Sequence, residues 1–277
     1  MSGLGENQAK PNGVFRVATF NLENYLDTTA KKDRVKSAES KAKIREHIRA
    51  INPDVIALQE MGGMDTLKEL RDSLASEHIE YPHMELVAGA DDELHVAVLS
   101  KFPFAARRPH INDSFVLDGQ AYRVRRGFAE VDVQVNPRFS FTLFAAHLKS
   151  KNENESASAD ALRLEEARLL RGKIEARLKK SPDTRILVCG DFNDTKDSRV
   201  VRTIAGMGKE RFVDTQNGKA AWTNYYEEKD RYERIDYVLL SPVMAGYWLP
   251  EKSGVGELPD WRLASDHRPV VAVFADK

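Results

Sequence analysis

The chain has 277 residues, of which 42% are hydrophobic, and its 42 basic and 43 acidic side chains leave a formal net charge of −1. A chain of this length and composition can bury a large core, and one α/β domain accommodates it without a linker. The near-neutral charge does not indicate a polyanion partner for the whole surface, so any such contact must be local. The single cysteine, Cys189, excludes an internal disulfide and lies in an apolar run, where it is more often a small core residue than a reactive thiol.

The chain also lacks the sequence signals of a membrane protein. No apolar run approaches the ~20 residues of a membrane-spanning helix, and residues 1–13 are polar, without the apolar core of a signal peptide. We therefore expect a flexible tail over residues 1–13, one domain over residues 14–277, and a cytoplasmic monomer without membrane attachment. A signal peptide removed from a longer precursor would instead mean secretion.

The predicted elements follow from apolar runs, alternation and turn residues. Strand patterns cover residues 14–20, 55–58, 95–99, 124–135, 139–148, 185–189, 221–225, 235–240 and 270–274. Helical patterns cover residues 33–51, 65–75, 161–178 and 198–205. Asp65 is a candidate cap of the second helix, and Asn136-Pro137-Arg138 joins two alternating runs as in an antiparallel hairpin. The pattern is that of an α/β protein.

The first predicted helix lies in a basic segment. Residues 31–49 carry eight Lys or Arg and three Asp or Glu side chains, a surplus of five positive charges. Such a surplus can contact phosphates, but a charged helix face is more often only a solvated surface. Both interpretations stay open from the sequence.

Polar side chains recur at or beside the predicted strand ends. The strongest case is Cys189 to Asp194, where Gly190 ends a continuous apolar run and Asp191 and Asn193 alternate with Phe192. The positions of this kind are Asn21, Glu60, His147, Asp191, Asn193, Asp266 and His267. Each alone could be turn or cap chemistry, but strand ends from distant segments converge on one rim of a sheet, so together they predict one site.

The residue types at this rim indicate a hard cation. Glu60, Asn21 and Asp266 offer oxygen ligands without a thiolate, which suits Mg²⁺ or Mn²⁺ better than zinc. Because Mg²⁺ keeps several waters and is completed by substrate phosphate oxygens, one or two protein carboxylates suffice.

The histidines indicate proton transfer near neutral pH. A carboxylate commonly fixes the ring of such a histidine, and Asp236 is the candidate partner of His267. With Asp191 orienting or deprotonating a water, and a cation and imidazolium groups offsetting the developing charge, the set suits phosphodiester hydrolysis.

Six motifs in order carry a resemblance to a known family. They are Thr19-Phe20-Asn21, Leu58-Gln59-Glu60, Ala146-His147-Leu148, Gly190-Asp191-Phe192-Asn193, Arg234-Ile235-Asp236-Tyr237 and Ser265-Asp266-His267-Arg268-Pro269. From about residue 14 to residue 274 the chain resembles the endonuclease/exonuclease/phosphatase superfamily, the group of deoxyribonuclease I. The resemblance implies a four-layered α/β sandwich, in which two packed, mostly antiparallel β-sheets are flanked by helices and the site lies at one rim.

The resemblance also implies roles for individual residues. It implies that Asn21, Glu23, Glu60 and Asp266 bind a metal ion, with Mg²⁺ or Mn²⁺ expected and Ca²⁺ as an alternative. It implies that the catalytic residues are His147, Asp191, Asn193, Asp236 and His267. It implies that Arg125 and Lys149 contact phosphate. For Arg125 the match to the family is incomplete, because Gly127 stands where a proline is common.

Three functions stay open. The first prediction is a divalent-metal-dependent nuclease acting on DNA or RNA, favoured by Arg125, Arg126 and the basic segment 31–49. The alternative is a phosphatase or phosphodiesterase acting on a small-molecule or lipid phosphate, favoured by the near-neutral charge and the acidic segment 227–233. The third is a non-catalytic binding module. The sequence lacks the Pro-x-Trp-x-Asp-Arg run that is typical of the inositol phosphatases in this superfamily. It also shows no exposed apolar hairpin for membrane docking, which would be expected of a sphingomyelinase.

Overall fold

The computed structural model describes residues 13–27, 35–151, 157–216 and 221–276. The strands within these ranges are β1 (Val14–Tyr25), β2 (Val55–Met61), β3 (His83–Val87), β4 (His95–Ser100), β5 (Phe104–Arg107), β6 (Ser114–Leu117), β7 (Gln120–Arg123), β8 (Phe128–Asn136), β9 (Phe139–His147), β10 (Ile186–Asp191), β11 (Val213–Asp214), β12 (Asn224–Tyr226), β13 (Arg231–Glu233), β14 (Asp236–Leu240), β15 (Gly254–Val255) and β16 (Val270–Ala275). The helices are α1 (Ala38–Ile51), α2 (Met64–Ser76), α3 (Ala159–Lys180), α4 (Arg199–Ala205), α5 (Pro242–Ala245) and α6 (Trp261–Ala264).

Two six-stranded sheets form the centre of the fold. Their strand orders are β15-β16-β1-β2-β4-β3 and β11-β14-β10-β9-β8-β5. Each sheet contains one parallel pair, β1 with β2 and β9 with β10, and its other neighbours are antiparallel. A parallel pair needs a crossover, and α1 and α3 supply the two crossovers. The predicted mostly antiparallel sheets are therefore confirmed.

Three apolar clusters make these sheets the inner layers of a four-layered sandwich. Phe15, Phe139, Phe141 and Phe274 lie in the cluster between the sheets, and the Phe15 ring contacts the other three. The second cluster packs α1 and α2 on the outer face of the first sheet, and the third packs α3 and α4 on the second sheet. Strands covered on both faces read as continuous apolar runs, which explains the run before Asp191 and the burial of Cys189 in the core.

Gly190 is required by the contact between two strands. Its φ is +137°, and an added Cβ would lie 1.9 Å from the carbonyl oxygen of Ala146 on the neighbouring β9. The structure shows that it allows β9 and β10 to approach each other at their carboxyl ends.

Several predicted boundaries were wrong. Helix α1 begins at Ala38, after the N-cap Ser37, and not at residue 33, which lies outside the described residues. Asp65 is not a cap: Gly63 holds that position, and Asp65 lies in the first turn, where its charge favours the helix dipole. Strand β8 begins at Phe128 and not at residue 124, because a bend with Gly127 at φ +68° precedes it.

Two other predictions concern the N-terminal tail and membrane-spanning helices. The predicted tail over residues 1–13 lies outside the described residues except for its last position. None of the helices in the described ranges is long and apolar enough to span a membrane.

Candidate active site

The carboxyl ends of both parallel pairs meet at one rim of the sandwich. Asn21 and Glu60 lie near the ends of β1 and β2, and His147 and Asp191 end β9 and β10, where they are register partners. On the other side of β10 lies the antiparallel strand β14, whose Asp236 is the register partner of Asp191. The Asn21 Nδ2 donates to Asp191 Oδ2 over 3.0 Å, so a direct hydrogen bond joins the two sheets at this rim.

Irregular backbone turns the Glu60 side chain toward this rim. The register of β1 with β2 shifts between Asn21 and Tyr25, and Glu23, Asn24 and Glu60 all have positive φ angles. Bulges of this kind re-aim side chains, and left-handed non-glycine residues persist where neighbouring contacts hold them. The Glu60 carboxylate is held by Asn24 N at 2.8 Å and by Asn21 Nδ2 at 3.4 Å.

His267 is paired with Asp236, as the sequence predicted. The distance from His267 Nδ1 to Asp236 Oδ2 is 2.7 Å, and both side chains are buried. Burial acts to lower the pKa of His267, but the carboxylates of Asp236 and Asp266 raise that pKa well above its ordinary value. The ring is therefore an imidazolium near neutral pH, with Nε2 turned toward Asp191 and Asp266 at 3.8 Å.

Asp191 is the most densely contacted carboxylate of the site. Its Oδ2 accepts from Asn21 and from Asn193 Nδ2 at 3.3 Å, and it lies 3.5 Å from His147 Nε2. Burial, together with the charge of Asp236, raises the pKa of Asp191 to about 7. A carboxylate with such a pKa can accept a proton near neutral pH and release it again.

His147 stays neutral beside this carboxylate. Burial lowers the pKa of His147 well below its ordinary value, and the charges of Arg126 and His267 act in the same direction. Its Nδ1 is buried and has no hydrogen-bond partner within the described part of the chain. The two histidines of the site therefore hold different charges.

The turn after β10 fits both interpretations that the sequence allowed. Asp191 Oδ1 accepts from Asn193 N over 2.8 Å, which is an Asx turn, and Asn193 has φ +53°. Asn193 Nδ2 also donates to Leu148 O over 3.0 Å, and Phe192 lies in the core with its ring stacked on Tyr237. The turn chemistry itself directs the two polar groups into the site.

The predicted metal residues share one locality, but Glu23 already has cationic partners. Arg262 Nη1 lies 3.1 Å from both of its carboxylate oxygens, and Lys36 Nζ lies 3.3 Å from Oε2. Burial lowers the pKa of Lys36, and the negative charges of Glu23, Asp266 and Glu60 partly oppose this effect.

A hard cation fits the remaining oxygen atoms of this locality. Each oxygen of Glu60 accepts one hydrogen bond from the described residues, so lone pairs remain for a metal, and the Asp266 side chain is 32% exposed. Burial raises the pKa of Asp266, and the nearby charge of Glu23 adds to this effect. Like-charged carboxylates held together in this way favour a bound cation between them.

A second group of potential ligand atoms lies beside the first. Asp191, Asp236 and His267 each offer an atom within 4.8 Å of the others. A cation bound to His267 Nδ1 would have to replace its 2.7 Å hydrogen bond to Asp236, whereas Nε2 remains directed at Asp191. The oxygen atoms around Glu60 and Asp266 require no such exchange.

The two predicted phosphate residues make other contacts. Arg125 Nη2 donates to Asp91 Oδ2 over 3.2 Å, and Lys149 Nζ donates to Ser150 O over 3.3 Å. The neighbouring Arg126 is buried, and its charge lowers the pKa of His147. Its Nε and Nη1 have no hydrogen-bond partner among the described groups, although Nε lies 3.7 Å from the Asp91 carboxylate. The sequence contained Arg126, but nothing in it indicated which arginine turns inward.

The sequence also gave no role to two charged residues of α3. Glu166 Oε2 accepts from Lys149 N over 2.6 Å, and Arg163 Nη1 donates to Lys149 O over 3.0 Å. Arg163 is almost fully buried and its Nε also lies 3.5 Å from Asp194. One turn of helix thus holds both backbone groups of Lys149, two residues after His147. The signal was their spacing on the apolar face of α3.

The described part of the basic segment is largely a set of ion pairs. Lys41 pairs with Asp27 and Glu69, Lys43 with Glu46, and both Arg45 and Arg49 with Glu77. These pairs favour the interpretation of α1 as a solvated surface whose cations are neutralised largely by carboxylates of neighbouring segments. Residues 28–34 lie outside the described ranges.

Comparisons with solved structures agree with this architecture. Truncated Caenorhabditis elegans TDP2 has a TM-score of 0.66 and 17% identity, over 95% of this chain and 97% of that one. An endonuclease/exonuclease/phosphatase from Beutenbergia cavernae has a TM-score of 0.67 and 21% identity, over 95% of this chain and 72% of that one. Sphingomyelinase C from Streptomyces griseocarneus has a TM-score of 0.62 and 19% identity, over 94% of this chain and 99% of that one. At these identities the likeness shows the fold.

The comparison of the sequence with curated proteins finds no match. The family model described as "Endonuclease/Exonuclease/phosphatase family" matches residues 18–267, a range that includes the site residues from Asn21 to His267. Because this match extends over most of the sequence and the sandwich is the fold of the similar structures, the chain belongs to the endonuclease/exonuclease/phosphatase family.

Proposed function

We propose that the protein is a divalent-metal-dependent phosphodiesterase and that its substrate is a nucleic acid. The observation that carries this proposal is the Asn21 amide, which donates to Glu60 on one side and to Asp191 on the other. It fixes a carboxylate suited to a cation next to a carboxylate suited to accept a proton. Hydrolysis of a phosphodiester needs these two groups around one phosphorus atom.

The cation would be Mg²⁺ or Mn²⁺, with Ca²⁺ as an alternative, held by Glu60 with Asn21 and Asp266. When bound, it would offset phosphate charge and favour the ionised form of a bound water. Glu23 stays a predicted ligand, but it would first have to exchange its contacts with Lys36 and Arg262.

The catalytic roles follow from charge and contact. Asp191 would take the proton of the attacking water on Oδ2, the oxygen that Asn21 and Asn193 orient. His267 would donate from Nε2 to a phosphoryl oxygen, while Asp236 keeps its ring charged. Neutral His147 would hold Asp191 from the other side through Nε2.

Nucleic acid is favoured over a small phosphoester by the bend before β8. It carries two successive arginines, and Arg126 keeps a buried guanidinium with unpaired nitrogen atoms near His147. Guanidinium groups bind phosphate oxygens with two hydrogen bonds. We therefore assign the phosphate contact to Arg126, with Arg125 and Lys149 as predicted supporting cations. We further propose that the protein acts as a monomer.

A second candidate is a phosphatase or phosphodiesterase acting on a small-molecule or lipid phosphate. It is favoured by the pairing of the α1 cations, which leaves that helix without an unpaired basic face within the described residues. The similar structures include one named a sphingomyelinase C, so the fold is compatible with this chemistry too. A binding module without catalysis is the third.

A substrate panel separates these candidates. Purified protein with Mg²⁺ or Mn²⁺ is given plasmid DNA, single-stranded DNA, RNA, bis-p-nitrophenyl phosphate and sphingomyelin vesicles, with EDTA and the His267→Ala variant as controls. We expect metal-dependent cleavage of a nucleic acid that the variant lacks. Turnover of sphingomyelin alone would support the second candidate, and no turnover of any substrate would support the third.

A further inference from the structure

Four aromatic side chains form a continuous cluster beside the site. This aromatic cluster consists of Trp222, Tyr225, Tyr232 and Trp261. The ring centroids of Trp222 lie 4.8 Å from those of Tyr232 and Trp261, and Tyr225 and Tyr232 stack at 4.6 Å with 28° between their planes. The ring centroids of Tyr225 and Trp261 lie 6.2 Å apart, so each of the four side chains contacts at least two others.

The cluster is attached to the catalytic segment by backbone contacts. Tyr225 N donates to Asp266 O over 2.9 Å, and Asn224 forms an isolated bridge with His267. Tyr232 lies opposite Tyr225 in the β12–β13 hairpin. Because Asn224 is the residue opposite His267, strand alternation puts the Tyr225 and Tyr232 side chains on the other face of this ladder, the face that Asp266 shares. Two strand spacings, about 10 Å, separate the backbone of Tyr232 from that of Asp266. A base stacked on Tyr232 would therefore lie on the same side of the ladder as a phosphate bound beside Asp266.

The inner side of the cluster is fixed, whereas its outer member is open. The guanidinium of buried Arg268 lies 4.2 Å from the centre of the Trp222 ring. Tyr225 covers one face of Tyr232, and Tyr232 is nevertheless 52% exposed. A stacked pair with an exposed outer ring offers a flat surface to a third planar group.

The negative charge of the hairpin is partly neutralised by neighbouring cations. Lys151 and Arg231 both contact Glu233 at 3.1 Å, and Arg262 contacts Glu227 at 3.3 Å. The hydroxyl groups of Tyr226 and Tyr225 donate to Glu228 and Asp230. Glu227 and Glu233 are therefore paired with cations, whereas Glu228 and Asp230 are held by hydroxyl groups and keep their charge.

We propose that the aromatic cluster is a stacking platform for an unpaired nucleobase next to the scissile phosphate. This inference rests on the proposed function and makes it more specific. An aromatic ring can stack only on a base whose face is free, and in a duplex both faces are covered by neighbouring base pairs. The protein therefore acts on single-stranded or locally unpaired nucleic acid in preference to an intact duplex.

The test compares two single-stranded oligonucleotides that differ only in whether the nucleotides beside one labelled phosphodiester carry bases. The abasic version has tetrahydrofuran residues there and keeps the same phosphates. The variants are Tyr232→Leu, which keeps an apolar side chain without a flat ring, and Tyr232→Phe, which restores the ring. Tyr226→Leu, on the same hairpin but outside the aromatic cluster, is the matched control.

We expect Tyr232→Leu to lower kcat/KM about tenfold on the base-containing oligonucleotide, mainly through KM, and to leave cleavage of the abasic one unchanged. Tyr232→Phe and Tyr226→Leu should behave like the unmodified protein. An equal loss on both oligonucleotides, or no loss on either, overturns the platform. If the unmodified protein cleaves neither oligonucleotide, the proposed nuclease function itself fails. Binding to sphingomyelin vesicles that Tyr232→Leu abolishes would mean that the cluster contacts lipid, and this also overturns the inference.

Discussion

Asp236 Oδ2 and His267 Nδ1 lie 2.7 Å apart across the boundary between the two sheets. Asp236 begins β14 in the second sheet, whereas His267 precedes β16 in the first. The orientation of the imidazole therefore depends on the packing of the two sheets against each other. Because both side chains are buried, the pair is shielded from water, and its charge interaction is stronger than that of a surface pair.

We first predict the effects of changing this pair. His267→Ala should lower kcat by at least ~10²-fold, the range seen when one preorganised donor is removed from a transition state. Asp236→Asn should cost less, because it keeps the shape but no longer holds the imidazole charged. Since the two residues form one unit, the double variant should be little worse than His267→Ala alone.

Steady-state kinetics on the best substrate of the panel measures these effects. Thermal unfolding of each variant controls for loss of fold. A double variant whose losses multiply as the product of the two single losses would mean that the residues act separately, and Asp236 would then be only a buried strand carboxylate.

The pH dependence of kcat provides the second prediction. Activity needs the charged form of His267, so it should fall at high pH as this ring loses its proton. The carboxylate of Asp236 is among the causes that raise the pKa of His267. Asp236→Asn should therefore move the alkaline limb of the profile to lower pH. An unchanged alkaline limb in this variant would assign the limb to another group.

The third prediction concerns the cation. Glu60→Gln removes one ligand charge at a half-exposed position of the rim, so most activity should be lost with little loss of fold. Thermal unfolding with and without Mg²⁺ should show a metal-dependent shift that shrinks in this variant. Glu46→Gln, on α1 and paired only with Lys43 among the described residues, should keep both activity and shift. Full turnover of the unmodified protein in excess EDTA would contradict the metal assignment.

The fourth prediction separates the two neighbouring arginines. Arg126→Lys keeps the charge but loses the bidentate geometry, so KM for a nucleic acid should rise about tenfold. Arg125→Lys should have a smaller effect, because Arg125 donates a hydrogen bond to Asp91, whereas Arg126 Nη1 makes no hydrogen bond among the described groups. The comparison uses initial rates over a range of substrate concentrations. A larger effect at Arg125 would restore the assignment made from the sequence.

The rim of the site could be predicted because its residues end strands with clear apolar patterns. The run before Asp191 is buried on both faces, and the apolar run before Glu60 behaves in the same way. Such apolar runs show where each strand ends, so the polar side chains that follow them can be placed at the rim without coordinates. The pairing of Asp236 with His267 followed from chemistry, since a buried histidine near carboxylates needs a partner.

The remaining features depend on contacts that a sequence does not show. Glu23 is paired with Arg262, 239 positions away. The choice between Arg125 and Arg126 is set by the bend at Gly127, whose positive φ has no counterpart in a strand pattern. Strands β6 and β7 are four residues each and form their own two-stranded sheet, which leaves too little alternation to detect.

The last prediction concerns Glu166, which holds Lys149 N at 2.6 Å from within α3. Burial raises the pKa of Glu166 from an ordinary value of 4.5 to about 7, although Lys149 N and the charge of Arg126 act to lower it. Between these two pH values the folded protein keeps a proton on Glu166 that the unfolded chain has released. The contribution of this group to stability is therefore fully present below about pH 4.5 and is lost as the pH rises through about 7.

Glu166→Gln removes this titration while keeping an oxygen that can accept from Lys149 N. The unfolding temperature of the variant, measured relative to the unmodified protein, should therefore rise as the pH increases from about 4.5 to about 7 and then level off. Glu175→Gln, about two and a half turns further along α3 and mostly exposed, should show a flat difference over the same range. A Glu166→Gln difference that is equally flat would mean that the buried carboxyl is already ionised throughout, and that Arg126 and Lys149 stabilise its charge more strongly than burial opposes it.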